Sequence, residues 1–408
     1  MSMPTKTVCV IGLGYIGLPT AALLAGKGYQ VIGVDVNPKT VETISKGQIH
    51  IVEPDLDAFV RSAVSSGKLK AQTEPANADF FMVCVPTPLS EKIDGIPQPD
   101  ISYVKSAVKS IAPYLKPGDS VILESTSPVG TTAAMTQVLG ELGVNVSKIH
   151  IAYCPERVLP GKIMTELVEN DRVVGGMTSS ASEAVADFYK TFVRGEVIQT
   201  DAPTAEMCKL AENSYRDVNI AYANELSLIC ANAGINVTKL IELANRHPRV
   251  NILTPGVGVG GHCIAVDPWF VVAKDPKHAR LIHTARNVND YKTEWVIEQV
   301  AYQIKTLQTL LKRRPIVACF GLAFKSDIDD LRESPALLVA EQVANMGCDL
   351  MVIEPNIEQH DLFTLYDPIK AYESADLLVF LVKHRRFVDL VRRKDFSEKI
   401  VLDYCGIL

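Results

Sequence analysis

The stretch GVGVGGHCIAVDP, residues 256–268, sets a thiol, Cys263, behind a run of glycines and four residues ahead of a carboxylate, Asp267. Glycines such as Gly260 remove side chains that would block a ligand, and they let backbone N–H groups converge. A thiol acts as a nucleophile only when it is deprotonated and reachable, conditions met near cations and helix N-termini. The residues alone leave two readings open: a tight turn holding a small buried residue, or a site where a thiolate meets a substrate. His262 adjoins Cys263, but neighbouring residues in a chain usually point apart, so a Cys–His dyad is not expected.

A second group lies in AEMCKLAENSYR. Lys209 and Asn213 are four apart and so project from one helix face, with Arg216 three further on. An amine, an amide and a guanidinium in line could serve a reaction or form a solvated polar stripe. Lys209 has Cys208, Leu210 and Ala211 as chain neighbours, surroundings that suit a pocket.

A third group is GLGYIG, residues 12–17, which follows the strand-like TVCVI and opens the helix-like LPTAALL. In such a turn Gly12 permits the tight bend, Gly14 admits a pyrophosphate to the backbone, and Gly17 lets helix and strand approach; Tyr15 and Ile16 complete it. Asp35 ends the second strand about 20 residues on, placed to accept from ribose hydroxyls and to repel a 2′-phosphate. The set predicts NAD rather than NADP. Thr87 in VPTP and Thr126 in ESTSPVG follow buried strands, where open α/β sheets bind ligands.

Elements of several kinds must position these groups. With 408 residues, the chain is too long for one ordinary core. A content of 47% hydrophobic and 22% charged residues places it among globular proteins. The formal charge of −6, without a long basic run, argues against nucleic acid as a partner. No apolar run is long enough to span a membrane, and the N-terminus does not read as a signal peptide. Nine cysteines without a C-x-x-C pair fit a reduced, cytoplasmic protein. The scattered histidines give no reason to expect a metal.

Up to about residue 200, apolar strand runs alternate with helical stretches, which predicts a parallel sheet covered on both faces. From 201 to 312 apolar positions recur at helical spacing, with one long helix from Pro203 towards Gly234 and another ending near Arg313. Beyond 313 the strand–helix rhythm returns, and VACFG, LMVIEPN and ADLLVFLV echo VIGLG, VIGVDVN and ADFFMVCV. The expected fold is therefore α/β: two Rossmann-like, doubly wound domains (1–200 and 313–408) joined by a central helical domain (201–312).

In chain order, GLGYIGLP, VPTP, ESTSPVGT, CPER, AEMCKLAEN, GVGGHCIAVDP and GLAFKSDIDDLRESP resemble the UDP-glucose/GDP-mannose dehydrogenase family over nearly the whole chain. The resemblance implies oxidation of a sugar C6 alcohol to a carboxylate in two NAD-dependent steps. Cys263 would be the nucleophile, Lys209 and Asn213 would stabilise oxygen charge, and Asp267 would handle protons. Thr126 and Glu156 would assist, and Arg332 would reach the cofactor. Arg157, Val158, Arg216, His247, Arg249, Phe324 and Lys325 would contact the sugar nucleotide. NRHPRVNI together with GHCIAVDPWF and FKSDIDDLRESP narrows the resemblance to members acting on UDP-N-acetyl-D-mannosamine, for surface polysaccharide of the enterobacterial common antigen type. UDP-N-acetylglucosamine is the alternative substrate, and a non-catalytic nucleotide-sugar-binding protein is the rival class. A homodimer is expected through the long helices, with a tetramer as the alternative. One departure stands out: relatives acting on UDP-glucose often carry a second acid where PERVLPG has Pro160.

Overall fold

The structure, a computed structural model, describes residues 6–408. The chain divides into two compact units, Met1–Glu212 with Trp269–Lys274, and Asn213–Pro268 with Asp275–Leu408.

In the first unit the strands are β1 (Thr7–Ile11), β2 (Gln30–Val34), β3 (Leu69–Gln72), β4 (Phe80–Val83), β5 (Leu89–Ile93), β6 (Ile96–Pro99), β7 (Ser120–Leu123), β8 (His150–Tyr153), β9 (Arg172–Gly176) and β10 (Val197–Asp201). Between them run helices α1 (Gly17–Gly26), α2 (Pro38–Ser45), α3 (Leu56–Ser65), α4 (Ser102–Ile111), α5 (Thr131–Glu141), α6 (Ile163–Glu169) and α7 (Ser179–Tyr189). Eight strands form one sheet in the order β10-β9-β8-β7-β4-β1-β2-β3, and β5 and β6 make a separate hairpin. FFMV and SVIL are buried at every position, as expected for strands covered on both faces. Strand β1 pairs in parallel with β2 on one side and β4 on the other. The chain order reverses there, so the carboxyl ends of β1 and β4 open the crevice where such sheets bind ligands.

The far edge departs from the all-parallel expectation. β9 runs antiparallel to β8 through Ala152↔Gly176 and Tyr153↔Gly175, and β10 lies parallel to β9. Glycines permit this turn-back: a Cβ on Gly175 would lie 2.4 Å from the Asp201 carbonyl oxygen, and one on Gly176 would lie 2.4 Å from the Ser182 nitrogen.

Two 32-residue helices, α8 (Ala202–Ala233) and α11 (Arg280–Leu311), dominate the middle of the chain, with α9 (Val237–Ala244) and α10 (Asp267–Lys274) between them. The last part of the second unit alternates β11 (Ile316–Phe320), α12 (Pro335–Ala344), β12 (Asp349–Ile353), α13 (Pro368–Ser374), β13 (Leu377–Phe380), α14 (Arg385–Arg393) and β14 (Ile400–Asp403). Its parallel sheet has the order β12-β11-β13-β14, the same arrangement as β2-β1-β4-β7, so the echo in sequence is also an echo in topology. Val296, Val300, Ile304 and Leu307, one stripe of α11, join Val317, Val339, Val343 and Val379 in a common core. Among the described residues no helix is long and apolar enough to cross a membrane.

The first half of α11 meets α8 through buried polar groups instead. Arg286 Nη1 donates to Asp217 Oδ1 at 2.7 Å, Asn289 Nδ2 donates to the same oxygen at 2.8 Å, and Asn224 Nδ2 donates to Asn289 Oδ1 at 2.9 Å. Burial pushes Asp217 up to about 6, against the pull of Arg286. Lys292 Nζ donates to Ser227 Oγ at 2.8 Å and lies 4.4 Å from the Trp295 ring centroid.

Burial pushes Lys292 down from 10.5 to about 8. Between those values the unfolded chain binds more protons, so stability rises with pH, and below about pH 8 the full penalty for the buried charge is present. The unfolding free energy of Lys292→Met, measured in urea relative to the parent chain, should therefore drop by about 3 kcal/mol between pH 7 and pH 10.5. A difference independent of pH would contradict this.

Candidate active site

At the carboxyl end of β1, Gly12 has φ +90, and a Cβ there would lie 2.4 Å from the Cys84 carbonyl oxygen. A Cβ on Gly17 would lie 1.8 Å from the Gly12 oxygen, so helix and turn touch as the spacing requires. Around Gly14 the Cβ position is open, with nothing within 4 Å. Ile16 caps α1 without a side-chain hydrogen bond, while Leu18 N–H donates to the Gly14 carbonyl at 3.1 Å and Pro19 carries no N–H. Asp35 is pinned beside this turn by Leu13 N–H at 3.0 Å and Asn37 N–H at 2.9 Å. A bare approach at Gly14, a helix end and a fixed carboxylate fit a dinucleotide, while Tyr15 is exposed at the rim.

Across the crevice, Thr87 Oγ1 donates to the Thr126 carbonyl at 2.5 Å and joins the loops after β4 and β7. Beneath them Glu124 is buried and accepts from Tyr189 O–H at 2.6 Å and Cys84 S–H at 3.3 Å. Burial raises its pKa, with Arg172 working against the rise. The loop after Thr126 is held by Glu206, fully buried on α8, which accepts from Gly130 N–H at 2.7 Å, Thr132 N–H at 2.8 Å and Thr132 Oγ1 at 2.6 Å.

The CPERVLPG loop meets Lys209. The ammonium donates to the Glu156 carbonyl at 2.8 Å and approaches Oε1 of the same residue at 3.3 Å. Both side chains are almost wholly shielded, at 7% and 11% exposure, so the pair is no solvated stripe. Further carboxylates grip the loop's backbone. Glu156 accepts from Val158 N–H at 2.8 Å, and Glu166 accepts from Leu159 N–H at 2.7 Å. Glu53 accepts from Gly161 N–H at 2.8 Å and Ile163 N–H at 2.7 Å. Arg157 forms a two-pronged pair with Glu212, at 2.7 and 3.3 Å.

In the second unit Cys263 is exposed, and its carbonyl accepts from Asp267 N–H at 2.8 Å. Asp267 is buried and accepts from Asn213 Nδ2 at 2.5 Å. The amide and the carboxylate, 54 residues apart in sequence, are thus one hydrogen-bonded pair. The glycines before the thiol are packed without spare volume. A Cβ on Gly258 would lie 2.3 Å from Thr293 Oγ1, and one on Gly260 would lie 2.5 Å from the Glu333 carbonyl oxygen and 2.7 Å from Phe324 Cβ. Gly261, at φ +81, would place a Cβ 3.0 Å from the Phe324 ring. Upstream, Gly256 N–H donates to Asn224 Oδ1 at 2.9 Å, and Thr293 Oγ1 donates to the Val257 carbonyl at 2.8 Å.

The other candidates differ in surroundings. Arg216 is exposed although Asn213, three residues before it, is buried. His247 and Arg249 lie exposed together in the loop after α9, where Arg249 N–H donates to His247 Nδ1 at 3.3 Å. Lys325 is exposed, and Arg332 is held by Asp330 at 2.8 and 2.5 Å. His262 is exposed beside the thiol, and partial desolvation of its ring together with nearby Arg332 lowers its pKa. Sequence reasoning missed Glu53, Glu166 and Glu206. Glu206 sits three residues before Lys209, and no local pattern marks it as the partner of a loop 74 residues away.

The chain is similar to known proteins over nearly its whole length. Residues 6–193 match the NAD binding domain of the UDP-glucose/GDP-mannose dehydrogenase family, residues 203–291 its central domain, and residues 318–408 its UDP binding domain. A UDP-N-acetyl-D-mannosamine dehydrogenase from Yersinia pestis is 54% identical, covering 99% of this chain and 100% of that protein. An NDP-N-acetyl-D-galactosaminuronic acid dehydrogenase from Ralstonia nicotianae is 51% identical, covering 98% and 96%. The solved UDP-N-acetyl-mannosamine dehydrogenase of Staphylococcus aureus superposes with a TM-score of 0.88 at 42% identity, covering 98% and 99%.

Removing the Glu53 carboxylate would leave the buried Ile163 N–H without an acceptor, a loss of about 1–3 kcal/mol. Glu53→Ala should therefore speed amide exchange at Gly161 and Ile163 roughly tenfold or more while β1 and β4 stay protected. Unchanged exchange at both amides would show that the carboxylate does not hold the loop.

Proposed function

Because the chain belongs to the UDP-glucose/GDP-mannose dehydrogenase family, we propose that it oxidises C6 of UDP-N-acetyl-D-mannosamine to the carboxylate through covalent capture on Cys263. The observation that carries this reading is an exposed thiol two residues beyond the tightly packed Gly260–Gly261 pair, one turn from a buried carboxylate–amide pair. Relatives at 53–54% identity that bear that substrate's name support the choice of sugar.

Bound NAD supplies the hydride acceptance, twice for each substrate. The chain's own residues do the rest. Lys209, shielded beside Glu156, accepts the alcohol proton as the neutral amine, and the ammonium so formed stabilises charge on the C6 oxygen together with Asn213. The Cys263 thiolate adds to the aldehyde carbon, so a C–S bond forms and the C=O π pair moves to oxygen as a thiohemiacetal. That adduct keeps the aldehyde from escaping and offers a tetrahedral carbon for the second oxidation. Water then attacks the thioester, Asp267 accepts a proton, and the C–S bond breaks to restore the thiolate. One alcohol, one water and two NAD give one carboxylate, two NADH and three protons. With Pro160 where some relatives have an acid, water activation rests on Asp267, aided by Glu156 and Thr126.

In this reading Gly12, Gly14, Tyr15, Ile16, Gly17, Asp35, Thr87, Thr126 and Arg332 hold the cofactor. Arg157, Val158, Arg216, His247, Arg249, Gly260, Phe324 and Lys325 hold the sugar nucleotide. The Ralstonia relative favours a second reading, the same chemistry on another 2-acetamido sugar, and initial rates on the UDP-linked epimers separate the two. Nine thiols suit a cytoplasmic enzyme making precursors of surface polysaccharide.

We also propose a homodimer through the long helices. Tyr215, Tyr222 and Ile229, seven apart on α8, are 72%, 52% and 57% exposed, a stripe of large apolar side chains of the kind that marks association.

Two NADH should appear for each sugar nucleotide consumed. One NADH with an aldehyde product would indicate a simple alcohol dehydrogenase, and none would indicate a binding protein. Cys263→Ala should lower uronate formation at least 10³-fold while NAD binding survives. Tyr222→Glu should shift sedimentation towards the monomer, and an unchanged assembly would place the interface elsewhere.

A further inference from the structure

Within the second unit, Glu354 and His384 form a buried pair that the reaction chemistry does not use, at 4% and 0% exposure. Glu354 Oε2 accepts from Leu322 N–H at 2.8 Å, Ala323 N–H at 3.0 Å and His384 Nε2 at 3.1 Å. His384 Nδ1 accepts from Asp327 N–H at 2.9 Å, so the proton of this ring lies on Nε2 and points at the carboxylate. Asp327 is strained, with φ +61, and its side chain accepts from Arg385 N–H at 3.0 Å and Arg385 Nε at 2.8 Å. A non-glycine residue keeps such a backbone only when its surroundings fix it. Leu322, Ala323 and Asp327 bracket Phe324 and Lys325. The Phe324 ring would crowd any Cβ on Gly261, and Gly261 N–H donates to the Arg332 carbonyl at 3.2 Å.

We infer that Glu354 and His384 are positioning residues that hold the 322–327 loop against the Gly260–Gly261 backbone, so that a nucleoside diphosphate bound at Phe324 and Lys325 alters the reactivity of Cys263. The chain of contacts is continuous. The carboxylate holds two backbone N–H groups and the imidazole, the imidazole holds a third N–H, and the loop so fixed packs on the segment that leads to the thiol. A loop released from this pair moves Phe324 off the glycines. The inference rests on the proposed reading in one respect only, that this loop takes the UDP moiety.

The test measures alkylation of Cys263 by iodoacetamide, followed by peptide mass spectrometry, with and without UDP. The parent chain, His384→Ala, His384→Gln and Arg385→Ala are compared, together with KM and kcat for the sugar nucleotide. UDP should change the parent's alkylation rate at least threefold. His384→Ala should abolish that response and raise KM tenfold or more, with a smaller change in kcat. His384→Gln, which keeps a donor and an acceptor, should recover part of both. Arg385 is 86% exposed, so its removal should leave the fold intact and weaken the UDP response in the same direction. A full UDP response in both His384→Ala and Arg385→Ala overturns the inference. So does a response equally lost in the alanine and glutamine variants together with their thermal transitions, which marks the pair as merely structural. Should the parent release no NADH from any UDP-linked 2-acetamido sugar, the proposed reaction fails, while the UDP-dependent alkylation still decides the positioning role.

Discussion

At Gly258, Gly260 and Gly261 the backbone runs where no side chain fits, and the arrangement of the second unit's chemistry depends on that close approach. Thr293 from α11 and Phe324, Glu333 and Pro335 from the segment between β11 and α12 converge on three glycines. Nothing larger than hydrogen can occupy those positions without moving backbone, a proline ring or the Phe324 ring. The segment is therefore fixed from two sides, and the chain emerges from it at an exposed Cys263 before turning into α10 with Asp267 buried. The glycines shape a rigid approach to the thiol rather than a flexible one.

A second device holds three of the loops that carry candidate groups. A buried carboxylate reaches across from a distant part of the chain and accepts two backbone N–H groups. Glu206 does so for the Gly130–Thr132 turn, Glu53 for Gly161 and Ile163, and Glu354 for Leu322 and Ala323. Charge-assisted bonds of this kind are about twice as strong as neutral ones, and a buried carboxylate that lost its donors would be penalised heavily. Loops are ordinarily the mobile part of a fold. Here ionic anchors make them as definite as the strands they follow.

What could be read from the sequence follows from which interactions are local. The dinucleotide turn was legible because Gly12, Gly14, Gly17 and Asp35 act through backbone conformation and a short, regular spacing. α8 was legible almost to the residue, since Pro203 and Gly234 punctuate a helical pattern. The shielding of Lys209 was not, because the stripe of Lys209 and Asn213 reads equally well as solvated until Glu156 and Asp267 arrive from 53 and 54 residues away. The antiparallel β9 was missed for a similar reason: RVVGG has the apolar run of a parallel core strand, and only the contacts of its two glycines reveal the reversal. Glu53 left no signal, as its partners are backbone groups that carry no side-chain code, and Glu354 and His384 meet only across 30 residues of sequence.

The central claim is that Cys263 bonds covalently to the sugar during turnover. Intact-mass spectrometry of enzyme quenched in acid during steady-state oxidation of UDP-N-acetyl-D-mannosamine tests it most directly. The account predicts a population heavier by one thioester-linked sugar nucleotide, mapped by proteolysis to Cys263 and absent without NAD. Turnover to the uronate with only unmodified enzyme at every quench time, including in a variant slowed at Asp267, would contradict it.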